Sequence, residues 1–118
     1  MNPMPTAPDQ ASTADLFSRL AATIEDRRNA DPEQSYVAKL FGGGTEAIAK
    51  KVGEEAVETV LAAVSEDRAA VLRESADLVF HLMVLWAHRD IALGDVATEL
   101  ARREGVSGLV EKNSRRNG

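Results

Sequence analysis

Apolar residues recur along this chain at three- and four-residue intervals, and no stretch alternates long enough to predict a strand. Leu16, Phe17, Leu20 and Ile24 form one stripe and predict a first helix over about 15–29, with Thr13 as its N-cap. Asp31-Pro32-Glu33 ends that element and opens another. A short segment over 35–41 then runs into Gly42-Gly43-Gly44, read as a hinge because no lysine-serine pair follows to make a phosphate loop. Ile48, Val52, Ala56, Val60 and Ala63 predict a second helix over about 45–64. Ser65-Glu66-Asp67 is a turn and capping cluster. A third helix is expected over 68–89, and its Leu78 to Ala87 stretch is apolar on nearly every side. Gly94-Asp95 breaks or caps the chain before a fourth helix over about 96–103, which ends at Gly105. The fold class is therefore all-α, with antiparallel helical hairpins forming a four-helix-bundle-type core. The other helices look too few to cover residues 78–86, so a homodimer is expected to complete that core.

Length and composition narrow the reading. The 118 residues make one domain. Residues 1–13 hold three of the four prolines and read as a disordered leader, 14–112 as the folded domain, and 113–118 as a polar tail. The formal charge of −5, with both signs interspersed, argues against nucleic acid as a partner. There is no cysteine, and two separated histidines cannot make a zinc cage. The longest apolar run falls well short of the ~20 residues a membrane span requires. No basic segment followed by an apolar one opens the chain, so neither a signal peptide nor a membrane is expected and the location reads as cytoplasmic.

Two acidic clusters carry the candidate chemistry. The second helix holds Glu54-Glu55-x-x-Glu58 and the third holds Glu74-x-x-Asp77. Residues three or four apart share a helix face, so Glu55 and Glu58 point one way, as do Glu74 and Asp77. Glu55 also lies on the line of Ile48, Val52, Thr59 and Ala62, at the edge of the apolar face. If the two helices fold back near Glu66, position 58 faces 74 and position 55 faces 77. Four facing carboxylates resist ionisation unless a cation offsets their repulsion. Oxygen-only ligands favour Mg²⁺, or Mn²⁺ as a substitute, over zinc. Either cluster alone is an ordinary solvated helix face; the matched register is what raises the metal reading.

These residues resemble the EExxE then ExxD pattern of the all-α NTP pyrophosphatases, the MazG-like superfamily. Ser35-Tyr36-Val37-Ala38-Lys39-Leu40, Lys50-Lys51-Val52-Gly53-Glu54-Glu55-Ala56-Val57-Glu58-Thr59 and Glu74-Ser75-Ala76-Asp77-Leu78-Val79-Phe80-His81-Leu82 look like the phosphoribosyl-ATP pyrophosphatase family in particular. Ser107 to Lys112 looks like that family's tail. Val37 stands where the family usually has threonine and Phe80 where it has tyrosine; neither change removes a charge. The resemblance implies Mg²⁺-dependent hydrolysis of N1-(5-phosphoribosyl)-ATP to phosphoribosyl-AMP and pyrophosphate, the second step of histidine biosynthesis. It implies Glu55, Glu58, Glu74 and Asp77 as metal ligands and catalytic acids. Glu54 stays open between metal ligand, orienting residue and solvent-facing acid. Lys39, Lys50 and Lys51 become candidate phosphate contacts, although ordinary solvated lysine is the competing reading for Lys50 and Lys51. Arg102, Arg103, Arg115 and Arg116 read as helix-end charge before they read as substrate contacts. Nothing in the sequence resembles the cyclohydrolase domain often fused to this family, so the following step is not expected here.

Two other functions compete. One is a MazG-like house-cleaning enzyme for ordinary or damaged nucleotides, with the same metal site. The other is a non-enzymatic helical interaction module whose acids are merely solvated. His81, in an apolar helix, reads as hydrogen-bonded core more readily than as a catalytic base.

Overall fold

The computed structural model describes residues 10–105, with side chains from Ser12 onward. Among these residues there are four helices and no strand: α1 (Gln10–Asp26), α2 (Tyr36–Ser65), α3 (Arg68–His88) and α4 (Leu93–Arg102). The all-α expectation holds. The tail, with Lys112, Arg115 and Arg116, lies outside the described residues.

The element boundaries depart from the pattern in three places. Helix α1 begins at Gln10, so Thr13 is a residue inside it rather than its N-cap, and the last residues of the expected leader are helical. Its buried side is Phe17, Leu20, Ala21 and Ile24, whereas Leu16 is turned outward. The glycine run breaks the helix as expected, but only at its last member. Gly42 and Gly43 stay helical, and only Gly44 leaves helical geometry, at φ 76° and ψ −170°. That conformation is essentially confined to glycine. A Cβ on Gly43 would lie 2.6 Å from the Ala47 Cβ, so the chain passes close to itself across the bend. Finally, Gly94-Asp95 belongs to the first turn of α4, where Asp95 Oδ2 accepts a hydrogen bond from the Ala92 N–H at 2.9 Å. An acid there satisfies an otherwise orphaned helix-start donor.

The start of α2 and the turn between α2 and α3 follow from capping chemistry. Ser35, in extended geometry, accepts from the Ala38 N–H and caps α2. At the far end Glu66 takes the left-handed conformation, φ 61°, and Asp67 caps α3 by accepting from the Ala70 N–H at 3.2 Å. Two residues thus separate α2 from α3, which forces an antiparallel hairpin. The core lies at the open end of that hairpin, where Val37, Leu40 and Ile48 of α2 meet Met83 and Val84 of α3 and Ile24 of α1. Arg28 locks the corner. It donates to the Ala87 carbonyl at 3.3 Å, and its guanidinium sits 5.1 Å from the centre of the Phe41 ring.

Residues 78–86 are largely covered within the chain, which corrects the expectation that they form an open surface. The exposed apolar surface is at the hairpin's closed end, where Val57, Val60, Leu61, Val64 and Leu72 are 58–76% exposed. Helix α2 therefore has two apolar faces. One line, Ile48 and Ala62 with Glu55 between them, is buried. The stripe that sets the sequence's period runs from buried Ile48 through half-buried Val52 and Ala56 to exposed Val60 and Ala63.

Candidate active site

The register of the hairpin brings three of the predicted acids together. Glu58 lies eight residues before Glu66, about 12 Å from the bend at 1.5 Å per residue. One carboxylate oxygen from each of Glu55, Glu58 and Glu74 falls within 4.8 Å of the others. Glu55 is 7% exposed, on the buried line of α2, so this group sits at the edge of the core rather than on an open helix face. Its Oε2, and Oε2 of Glu74, are buried without a hydrogen-bond partner. The neighbouring Glu58 carboxyl, which shares a hydrogen bond with it, holds the Glu74 carboxyl above its ordinary range; burial and the charges of Glu58 and Glu55 push the same way.

The remaining acids are placed differently. Asp77 lies on α3 one turn beyond Glu74, is exposed, and does not join the close group. It shares a face of α3 with Glu74, but its side chain is a methylene shorter than glutamate and its carboxylate stops short of the group. Glu54 is turned toward the lysines, 3.4 Å from Lys51 Nζ and 4.0 Å from Lys50 Nζ. Lys51 is also 3.6 Å from Glu55 Oε1. That leaves Glu55 with one oxygen held by a cation and one free inside the cluster. The hydrogen bond to Glu54 first, and then the Tyr36 oxygen and the Glu54 and Glu55 charges, hold the Lys51 ammonium above its ordinary value.

All three candidate lysines open on one cavity. It measures about 510 Å³ and is lined by Tyr36, Lys39, Leu40, Gly43, Ala47, Lys50, Lys51 and Glu54. Lys51 is its boundary with the acids, so a phosphate-rich molecule in the cavity would reach the carboxylate group directly. A cavity of about 450 Å³ around Met83, Trp86 and Leu93 carries Glu25 and Asp90 but no lysine. It has the wrong charge for a phosphate chain.

Two residues gain roles that periodicity could not supply. His81, 5% exposed, bonds the Asp77 carbonyl through Nδ1 at 2.7 Å and the Tyr36 hydroxyl through Nε2 at 2.8 Å. This agrees with the reading of His81 as hydrogen-bonded core and adds Tyr36, one of the cavity's walls, as its partner. Burial pushes the Tyr36 phenol up; Lys51 opposes that shift, and Glu55, Asp77 and Glu54 add to it. His88 is half-buried, pairs with Thr45 at 3.0 Å beside the Gly44 bend, and leaves Nδ1 without a partner.

No helix among the described residues is long and apolar enough to cross a membrane. The clustered acids and the lysine cavity both fall within residues 17–104, the span matched by the family model described as phosphoribosyl-ATP pyrophosphohydrolase. A phosphoribosyl-ATP pyrophosphatase of Azospirillum brasilense is 57% identical over 110 residues, covering 93% of this chain and 98% of that protein. One from Novosphingobium aromaticivorans is 54% identical over 87% of this chain and 96% of its own length. One from Nitrosospira multiformis is 52% identical over 91% of this chain and 88% of its own length. With helices, acids and matched span in agreement, the chain belongs to the phosphoribosyl-ATP pyrophosphohydrolase family.

Proposed function

We propose that this chain hydrolyses N1-(5-phosphoribosyl)-ATP to phosphoribosyl-AMP and pyrophosphate, acting as a Mg²⁺-dependent enzyme at the second step of histidine biosynthesis. The observation that carries the reading is the close group of buried Glu55, half-buried Glu74 and exposed Glu58, with one buried oxygen of Glu55 and one of Glu74 lacking partners, set beside a cavity lined by three lysines. Buried carboxylate oxygens without donors are the donor set of a hard divalent cation. Glu55, Glu58 and Glu74 would hold it, with Asp77 as a further ligand from the same face of α3. Bound there, the ion neutralises phosphate charge and activates water.

The chain's own groups do the rest. Lys39, Lys50 and Lys51 draw the triphosphate into the cavity and orient it toward the acids. Lys51 links the two regions because it already contacts Glu55 Oε1. Glu54 restrains Lys51 and so acts on the phosphate contact, not on the ion. A carboxylate of the cluster would take the proton from the attacking water; the Glu58 carboxyl beside Glu74 holds the latter above its ordinary range, which favours a protonated form there. The substrate is a cytoplasmic nucleotide, and the reading puts the enzyme in the same compartment.

The active form is a homodimer. Val57, Val60, Leu61, Val64 and Leu72 form an apolar patch across both arms of the hairpin, and a second hairpin packed on it by two-fold symmetry completes a four-helix bundle.

The test supplies phosphoribosyl-ATP, ATP and deoxynucleoside triphosphates at equal concentration with Mg²⁺ and assays pyrophosphate and orthophosphate separately. Pyrophosphate from phosphoribosyl-ATP is expected, with loss of turnover in Glu58→Gln. Comparable turnover of deoxynucleotides would favour a house-cleaning pyrophosphatase. Orthophosphate as first product, or wild-type turnover in Glu58→Gln, would overturn the reading.

A further inference from the structure

Acids and lysines recognise metal and phosphate, which every nucleoside triphosphate shares. Selection for the nucleoside has to come from elsewhere in the cavity, and among its lining residues Tyr36 alone is aromatic. Half of its surface is exposed, yet its ring is fixed on three sides. Phe80 lies nearly parallel to it, at 20° with centroids 6.4 Å apart, and His81 meets it edge-on at 84° and 5.8 Å. The third restraint is the hydroxyl. A carbonyl only accepts, so the 2.7 Å contact with the Asp77 carbonyl puts a proton on His81 Nδ1. In the neutral ring Nε2 then carries a lone pair and accepts a hydrogen bond from the Tyr36 hydroxyl at 2.8 Å. A buried histidine thus holds the plane of an exposed ring.

We propose that Tyr36 is the surface on which the purine ring of the nucleotide stacks, and that His81 is the positioning residue that keeps that surface in place. The proposal rests on the nucleotide reading above and names what grips the base. An aromatic ring already fixed in the free protein loses little freedom on binding, so a stack on it is inexpensive in entropy. Leu40 and Ala47 extend the apolar floor beside Tyr36, and Lys39, Lys50 and Lys51 surround it. A flat ring on Tyr36 leaves the attached phosphates among the lysines, with Lys51 leading on to Glu55. The competing view makes Tyr36 a strut that ties the start of α2 to the middle of α3. A strut affects every ligand alike, whereas a stacking surface affects only ligands that carry a base.

The experiment measures calorimetric binding of two probes to the Mg²⁺-loaded protein. One is α,β-methylene-ATP, which has a base; the other is inorganic tripolyphosphate, which does not. Tyr36→Leu is expected to weaken the first by about tenfold, the ~1.4 kcal/mol that one base–aromatic stack supplies. Tripolyphosphate should bind as before, and Tyr36→Phe, which keeps the ring, should restore most of the lost affinity for the nucleotide. Equal weakening of both probes, or no change in either, overturns the proposal. Should Tyr36→Leu not fold, Tyr36 is the single tyrosine of the chain and its own emission can be followed in a Trp86→Phe protein. Quenching by the nucleotide but not by tripolyphosphate supports stacking, and absence of quenching overturns it. Failure to turn over phosphoribosyl-ATP in the wild type would count against the proposed activity instead, since the comparison of probes does not depend on cleavage.

Discussion

Replacing Leu61 with aspartate should dissociate the proposed dimer while leaving each chain folded. Fully burying a leucine is worth about 1.5–3 kcal/mol. Leu61 is 63% exposed in the single chain, so most of that gain, about 1–2 kcal/mol, is still to be made by association. Two-fold symmetry counts each substitution twice, for a loss of about 2–4 kcal/mol per dimer in transfer energy alone. The aspartate adds the cost of an unpaired polar group at a buried position, at least about 1 kcal/mol per copy. A total of about 4 kcal/mol or more raises the dissociation constant about a thousandfold or beyond. Sedimentation velocity at micromolar concentration should show a wild-type dimer and a Leu61→Asp monomer, with far-ultraviolet circular dichroism showing retained helix. The substitution lies outside the core of Ile24, Val37, Leu40, Ile48, Met83 and Val84, so the monomer's own packing is intact. A monomeric wild type, or a Leu61→Asp protein that still dimerises, would refute the argument.

Glu55→Met should abolish turnover and yet stabilise the metal-free protein by about 1–3 kcal/mol, since it removes a buried oxygen without a partner; denaturant titration in chelator checks this, and a loss of stability would mean the carboxylate is already satisfied. The raised Glu74 carboxyl binds its proton more tightly folded than unfolded, so it adds stability below the ordinary carboxylate range that is lost as pH rises through its raised value. Melting curves in chelator should therefore show the wild type losing ground to Glu74→Gln as pH rises through that window, and Mg²⁺ should reverse the order by competing with the proton. Gly44→Ala should cost about 1–3 kcal/mol because of its positive φ, although its surroundings are open, whereas Gly42→Ala, helical and equally open, should gain about 0.5–1 kcal/mol. Equal effects of those two alanines on chemical denaturation would mean that the bend at Gly44 is not fixed.

The hairpin register was legible because it is set locally. Ser65, Glu66 and Asp67 carry turn and cap chemistry, and once the bend is placed, helix geometry puts Glu58 beside Glu74. Glu55 was legible as a residue on a line with Ile48 and Ala62. Which of the two apolar lines of α2 is buried in the chain was not legible, because period alone cannot separate a core face from a face kept for a partner. The glycine run was legible as a hinge, but not which of its three members leaves helical geometry; only Gly44 bends the backbone. Tyr36 escaped notice as a site residue because its link to His81 spans 45 positions, which no spacing rule reaches. Asp77 followed the register on α3, but its short side chain keeps it out of the close group.

The core ends where the acids begin, and this divides the molecule into two cooperative units of unequal strength. Near the open end of the hairpin α1 packs on α3 and α2 runs alongside, whereas past Glu55 and before Glu74 the arms, among the described residues, have only each other, with Val57, Leu61 and Leu72 open. In the monomeric Leu61→Asp chain, amide protons on that stretch should exchange through local opening, well before the global unfolding that exposes Ile48 or Val84. The carboxylates straddle the seam between the units. A cation bound there would act as a weld, and its effect would be felt less as added rigidity in the core than as slowed exchange in the arms beyond it.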